Sequence, residues 1–72
     1  METITIRDEF IKLGQVLKLA GIAESGVEAK EMVINGEASV NGEVDFRRGR
    51  KVYPGDVVSC RGESFKVEAR EM

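Results

Sequence analysis

Four of the eleven basic residues lie within five consecutive positions, Arg47-Arg48-Gly49-Arg50-Lys51. No acidic residue interrupts this segment, which we call the basic run, although Asp45 and Asp56 flank it. Guanidinium groups bind phosphate oxygens through paired N–H donors, and a glycine lets the backbone come close to such a ligand. The basic run is therefore a candidate phosphate-binding segment. The other interpretation is a solvated turn whose cations only aid solubility.

A second candidate anion site is the predicted start of a helix at Ser25-Gly26-Val27. The first backbone N–H groups of a helix have no partner within the helix, and the helix dipole favours negative charge there. The hydroxyl of Ser25 is also expected to cap the helix, but a cap occupies only one of these donors, so both uses are compatible. Glu28 and Glu31 share one side of this helix, whereas Lys30 lies on another.

The remaining composition argues against catalysis and metal binding. The chain has no histidine and one cysteine, Cys60, which alternates with Val58 in a predicted core strand. Neither a disulfide nor the usual zinc patterns are therefore expected. Glu28 and Glu31 form a pair that is typical of a solvated helix face. A chain of 72 residues also has little room for a closed pocket. We expect no enzymatic activity, no cofactor and no metal.

The residues before the basic run predict one strand followed by two helices. Residues 3–7 alternate polar and apolar side chains, as a half-buried strand does. Asp8 is expected to cap a first helix, whose apolar residues at helical spacing are Phe10, Leu13, Leu17 and Ala20. Gly14 indicates either a later helix start or a close neighbour of the backbone. Gly21 is expected to end this helix and to pack Ile22 back on Leu17, and a capping box predicts a second helix from Ser25 to Asn35-Gly36.

After the second helix the apolar pattern alternates, which predicts strands. Asn41-Gly42 predicts a hairpin turn: a two-residue turn pairs Val40 with Glu43, whereas the apolar pattern prefers Val40 opposite Val44. Tyr53-Pro54-Gly55-Asp56 is typical of a type II turn, and two more strands follow. The order β-α-α-β-β-β-β predicts a single α+β domain over residues 1–72, with two packed helices on a small, mostly antiparallel sheet.

These segments occur in an order that is similar to a known RNA-binding module. Ser-x-x-Glu-Ala-Lys at residues 25–30, an Asn-Gly helix end, Val-Asn-Gly and Val-x-Pro-Gly-Asp-Val follow one another. Residues 12–58, about two-thirds of the chain, resemble the alpha-L RNA-binding motif, which is named after small-subunit ribosomal protein S-four. The flanking strands and the basic run resemble the small stand-alone bacterial members of this family. The resemblance implies that RNA lies along the helix pair and the loop after the hairpin.

The resemblance also implies particular contact residues. Lys12 and Lys30 match positions where the family carries basic residues, and Ser25 matches its usual serine. Gly14 replaces a frequent aspartate and Gly26 a frequent basic residue, which weakens the helix-borne contacts and shifts the expected binding onto the basic run. The candidate RNA-binding residues are Lys12, Ser25, Gly26, Lys30, Arg47, Arg48, Arg50 and Lys51.

These features predict a non-catalytic cytoplasmic monomer that binds structured RNA, with ribosomal and transfer RNA as candidates and the ribosome or another ribonucleoprotein as its setting. No membrane partner is expected, because no apolar segment has the length of a span. The net charge is −2. RNA binding therefore requires the cations to lie on one side of the molecule and not to be buried in pairs with carboxylates.

An alternative is a protein–protein adaptor that docks a basic partner on the acidic face of the second helix. Ile11 and Leu19 lie away from the apolar stripe of the first helix and would mark such an interface if exposed. Among the aromatic residues, Phe10, Phe46 and Phe65 are in phase with the apolar pattern and are expected in the core. Tyr53 is the one considered for base stacking, although a packed turn residue is the more typical interpretation.

Overall fold

The computed structural model describes residues 1–70, which form two helices and two sheets. In chain order the elements are β1 (Glu2–Ile6), β2 (Ile11–Lys12), α1 (Leu13–Leu19), α2 (Gly26–Ile34), β3 (Ala38–Val40), β4 (Glu43–Val44), β5 (Lys51–Val52), β6 (Val57–Cys60) and β7 (Glu63–Ala69). The α+β class with two packed helices and a mostly antiparallel sheet is confirmed. The sequence does not predict β2 and β5, because two-residue strands are too short to show an alternating pattern.

The first helix begins at Leu13, so the prediction that Asp8 caps it is wrong. Ile11 and Lys12 are extended instead, because they pair with β5. The end of α1 agrees with the sequence. Gly21 has φ +79°, and the Ile22 N–H donates to the carbonyl of Leu17 at 3.1 Å. Ile22 is half-buried against the core, as a left-handed cap requires.

The hairpin between β3 and β4 has the two-residue turn. Asn41 and Gly42 both have positive φ, and Val40 pairs with Glu43. This geometry matches the twist of the two strands, and it rules out the pairing of Val40 with Val44. The side chain of Asn41 also donates to Asp56 Oδ1 at 3.0 Å, which ties the hairpin to the next turn. In that turn Gly55 has φ +98°, as the type II pattern of residues 53–56 predicts.

The larger sheet has the strand order β1-β7-β6-β3-β4, and β2 and β5 form a separate small sheet. β7 pairs in parallel with β1 on one side and antiparallel with β6 on the other. The last strand therefore pairs with both the first strand of the chain and its immediate predecessor. No helix among residues 1–70 is long and apolar enough to cross a membrane.

A single core contains apolar side chains from the sheet and both helices. Its largest members are Phe65, Leu13, Leu17 and Met32. Phe65 is buried as expected and Phe10 is half-buried, but the prediction for Phe46 is wrong, since that residue is 62% exposed. Side chains alternate along an extended chain, and here Asp45 points inward, so its two neighbours point outward. Placing a carboxylate inward requires partners for it, and the basic run supplies them.

Candidate nucleic-acid interface

The backbone of the basic run is attached to the start of α1. The N–H of Leu13 donates to the carbonyl of Arg50 at 2.9 Å, and the N–H of Gly14 donates to the carbonyl of Arg48 at 3.0 Å. These bonds satisfy N–H groups that the first turn of a helix leaves free. Gly14 therefore has the close backbone neighbour that the sequence indicates, and this neighbour is the basic run. β5 continues the attachment by pairing with β2.

Asp45 holds two arginines of the basic run from the inside. Its side chain is 9% exposed and accepts from Arg47 Nε and Nη2 at 3.0 and 2.9 Å, and from Arg50 Nη1 at 3.2 Å. The Arg47 backbone N–H adds a fourth bond at 2.9 Å. Hydrogen bonds from Arg47, strengthened by the nearby positive charge of Arg50, lower the pKa of Asp45 to about 2. This carboxylate fixes the shape of the run.

Arg47 and Arg50 both pair with a carboxylate, but neither is buried in that pair, since the Arg50 side chain is still 30% exposed. The Arg47 side chain is 75% exposed. Its side chain donates two hydrogen bonds to Asp45, out of the five N–H groups that a guanidinium carries. Arg47 is thus oriented by Asp45 and can still donate to a ligand in solution. Arg50 is more enclosed and contributes mainly to the shape of the run.

A groove of about 310 Å³ lies where the basic run meets the starts of both helices. Three of its lining residues carry positive charge: Lys12, Lys18 and Arg48. Within residues 1–70, none of these three forms an ion pair. The groove is completed by small or neutral residues, namely Gly14, Gln15, Gly26, Ala29 and Gly49. The groove therefore brings three positive charges that have no ion-pair partner close to the backbone of its glycines.

The start of α2 faces this groove through Gly26. Ser25 caps the helix as predicted, since its Oγ accepts from the Glu28 N–H at 3.1 Å. The N–H groups of Gly26 and Val27 precede the first hydrogen bond within the helix, so they remain available to an anion. A Cβ atom at position 26 would meet no atom within 4 Å, so this end of the groove is open.

Replacing the cap tests whether Ser25 has a structural role. We expect Ser25→Ala to lower the free energy of unfolding by about 1 kcal/mol, because the Glu28 N–H loses its acceptor. For a domain of this size, that change lowers Tm by roughly 4–8 °C in a thermal unfolding experiment. Ser25→Asn is the matched control, because asparagine is an equally good cap and should preserve Tm. Equal Tm values for the alanine and asparagine variants would contradict the role of the hydroxyl.

Two other candidate residues lie outside the groove. Lys30 is exposed on α2 but does not line it. Lys51 lies directly opposite Lys12 in the β2–β5 pair. Like charges directly opposite one another destabilise a strand pair, so an anion bound between Lys12 and Lys51 would relieve an unfavourable contact.

The ring of Phe10 has two close neighbours. The Nζ of Lys51 is 4.8 Å from the centre of this ring, and the centre of the Tyr53 ring is 5.9 Å from it.

Lys18 is not among the residues that the sequence predicts to bind RNA, although the structure places it in the groove. A signal was available in the sequence. Gly14 and Lys18 are four residues apart, and residues at that spacing lie on the same side of a helix. Once Gly14 is recognised as the point where the basic run approaches, Lys18 must lie on the side of α1 that faces it.

The structure also shows the residues that bear on the two other functions considered, catalysis and docking of a protein partner. Cys60 is buried, and this burial raises the pKa of its thiol, so the thiolate needed for nucleophilic chemistry is disfavoured. Of the two residues proposed to mark an adaptor interface, Ile11 is buried in the core and Leu19 is exposed. The apolar surface expected for an adaptor is thus reduced to one residue of the pair.

With the fold and the groove described, the chain can be compared with known protein families. The S4 domain family model matches residues 4–68, and the chain belongs to this family. The resemblance seen in the sequence is thereby confirmed.

Relatives align with nearly the full length of the chain. A Bacillus subtilis (strain 168) protein named "Probable ribosome maturation protein RlbA" is 52% identical over 65 residues, which cover 89% of this chain and 92% of that protein. The "Putative RNA-binding protein YbcJ" of Escherichia coli (strain K12) is 39% identical over 59 residues, covering 82% and 84% of the two chains. The solution structure of E. coli YbcJ, described as having an alpha-L motif involved in RNA binding, matches with a TM-score of 0.74 at 36% identity, over 96% of this chain and 89% of that one.

Proposed function

We propose that this protein binds structured RNA without catalysing a reaction, through the groove and the basic run. The observation that carries this proposal is the groove itself. It brings Lys12, Lys18 and Arg48 together without acidic partners, beside the open start of α2. Unpaired cations next to free backbone N–H groups are suited to phosphate oxygens. The names of the YbcJ and RlbA relatives, which refer to RNA binding and ribosome maturation, support the same function.

The small number of cations favours RNA with a defined shape over long unstructured polyanions. The chain as a whole carries a net charge of −2, so acidic groups outside the groove oppose non-specific attraction of phosphate. Proteins that contact few phosphates gain little affinity from charge alone and depend on the fit of the ligand. A helix end, bulge or junction presents phosphates in a fixed arrangement that a groove between two helices can match.

We further propose that residues 1–72 act as one domain and as a monomer, with the alpha-L core at about residues 12–58 providing the contacts. We propose as contact residues the eight that the sequence indicates, together with Lys18 of the groove. The eight are Lys12, Ser25, Gly26, Lys30, Arg47, Arg48, Arg50 and Lys51. The ribosome or one of its precursors is the proposed setting, because the RlbA relative is named for ribosome maturation. We propose the cytoplasm as the compartment, since a free buried cysteine suits a reducing environment.

The proposal is tested by titrating a fluorescently labelled RNA hairpin with the protein at several salt concentrations. If 3–5 phosphates are contacted, the slope of log affinity against log salt should be about −2 to −4. A double-stranded DNA of equal length serves as the matched control for shape, and we expect it to bind more weakly. No saturable binding to structured RNA at low salt would contradict the proposal. Salt-insensitive binding to a protein partner instead would favour the adaptor function.

A further inference from the structure

Phe46 is an exposed aromatic side chain within the candidate interface. It lies between the buried Asp45 and the exposed Arg47, and 62% of its surface is accessible. Exposure of a phenylalanine ring to water costs free energy, but single exposed apolar residues are common on protein surfaces and do not by themselves indicate a binding site. Phe46 is different because it is held in place and because a charged group adjoins it.

The ring of Phe46 rests on the end of α2. Gly36 has φ +77°, and a Cβ atom at that position would lie 3.0 Å from Phe46 Cε1 and 3.7 Å from Val44 Cγ1. The positive φ favours glycine there, and a Cβ atom would push the ring out of its present position. The backbone on either side is also fixed, because the Asp45 N–H donates to the carbonyl of Ala38 at 3.2 Å and the Arg47 N–H donates to Asp45 Oδ1 at 2.9 Å. The ring is supported on one side and remains accessible on the rest of its surface.

We propose that Phe46 stacks against an unpaired RNA base while the Arg47 guanidinium contacts an adjoining phosphate. This inference rests on the proposed function and specifies its ligand as RNA with at least one unpaired nucleotide beside a duplex. Aromatic rings bind bases of any sequence through their faces, and an arginine next to the ring adds attraction for the backbone. A protein partner with an apolar surface would have to cover the charge of Arg47, which is why a base with its phosphate fits this site better.

The position of Phe46 allows one RNA molecule to contact it and the groove together. Phe46 lies against Gly36, just beyond the end of α2, and Arg48 lines the groove together with Ala29 of the same helix. At a rise of 1.5 Å per residue, these two points are separated by about 10 Å along the helix. In a continuous A-form duplex every base is stacked and paired, so only an unpaired nucleotide can reach the ring. The duplex would occupy the groove and the unpaired base would occupy Phe46.

The test compares two RNA hairpins that differ only by one bulged nucleotide, labelled with 2-aminopurine at the bulge or in the stem. We expect the wild-type protein to bind the bulged hairpin about tenfold more tightly and to quench its 2-aminopurine fluorescence. Phe46→Leu should lose both effects while keeping its affinity for the uninterrupted hairpin, and Phe46→Trp should retain both. Tyr53→Leu removes another exposed aromatic residue and is the matched control, with no change expected.

Each outcome separates this inference from the proposed function. Equal binding of both hairpins by wild type and Phe46→Leu would overturn the stacking site and leave RNA binding intact. Loss of Phe46→Leu affinity for both hairpins alike would also overturn it, because the ring would then serve the fold or the groove. A wild-type dimer in analytical ultracentrifugation that Phe46→Leu dissociates would identify the patch as a protein interface. Failure of the wild type to bind either hairpin would overturn the proposed function as well.

Discussion

Replacing Lys12 and Arg48 together by glutamine should lower the affinity for a structured RNA about 30-fold in 0.1 M salt. Both side chains line the groove and have no ion-pair partner among the described residues. Each phosphate contact that is lost makes the slope of log affinity against log salt shallower by about 0.7 to 0.9. At 0.1 M salt, the loss of two such contacts therefore lowers the affinity by roughly 25- to 60-fold. Fluorescence anisotropy at several salt concentrations measures the affinity and the slope together.

The fold should tolerate this double substitution. Position 12 is held by the backbone pairing of β2 with β5, and position 48 by the bond from the Gly14 N–H to its carbonyl. Neither depends on the side chain, so Tm should stay close to that of the wild type. Lys66→Gln combined with Arg70→Gln is the matched control, because it removes the same charge from exposed positions at the other side of the sheet. If the control weakened binding as much as the groove variant, net charge rather than the groove would explain the affinity.

Replacing Asp45 by alanine should lower the free energy of unfolding by about 3 kcal/mol at pH 7. The substitution leaves two guanidinium groups and the Arg47 backbone N–H without their common acceptor. Hydrogen bonds to charged groups contribute about 1.5–3 kcal/mol each, and this carboxylate is largely shielded from water. Urea unfolding followed by circular dichroism gives the difference. An unchanged midpoint would mean that the basic run keeps its shape without Asp45.

The pH dependence of stability provides an independent measure of the same interaction. The pKa of Asp45 is about 2 in the folded protein, against 3.8 for the unconstrained side chain. Because the pKa is lowered on folding, the stabilisation is fully present above pH 3.8 and is lost as the pH falls towards 2. The shift corresponds to about 2 kcal/mol. Asp45→Asn should lack this part of the acid transition while keeping an oxygen for the Arg47 N–H. Identical profiles for wild type and Asp45→Asn between pH 5 and 2 would contradict the role of the charge.

The sequence predicts the parts of this fold that depend on neighbouring residues. The cap at Ser25, the left-handed residue at Gly21 and the turn at Asn41-Gly42 are all where the pattern places them. Each arises because one residue type can adopt a backbone angle or offer an oxygen that others cannot. Such signals extend over about four residues and need no knowledge of the rest of the chain.

The features that the sequence did not predict depend on contacts between distant segments. α1 starts late because β5, some forty residues further along, holds Ile11 and Lys12 extended. The hairpin turn sets the register between β3 and β4, and this register points Asp45 inward. Asp45 then pairs with Arg47 and Arg50, and its neighbour Phe46 points outward. The sequence therefore shows that the basic run is a candidate binding segment. It does not show which of the arginines are held by Asp45 and which remain free to bind a ligand.

The parallel pairing of β1 with β7 has a consequence for how the protein is made. Among the strands that the structure describes, β1 precedes all others in the chain, yet its only sheet neighbour is β7, which follows all others. A nascent chain consequently carries β1 with unpaired backbone groups until synthesis has passed residue 69. Contacts between such distant segments form slowly, and an open strand edge can pair with other molecules in the meantime. Premature termination before β7 would expose the edges of both β1 and β6, so shortened chains should aggregate rather than fold.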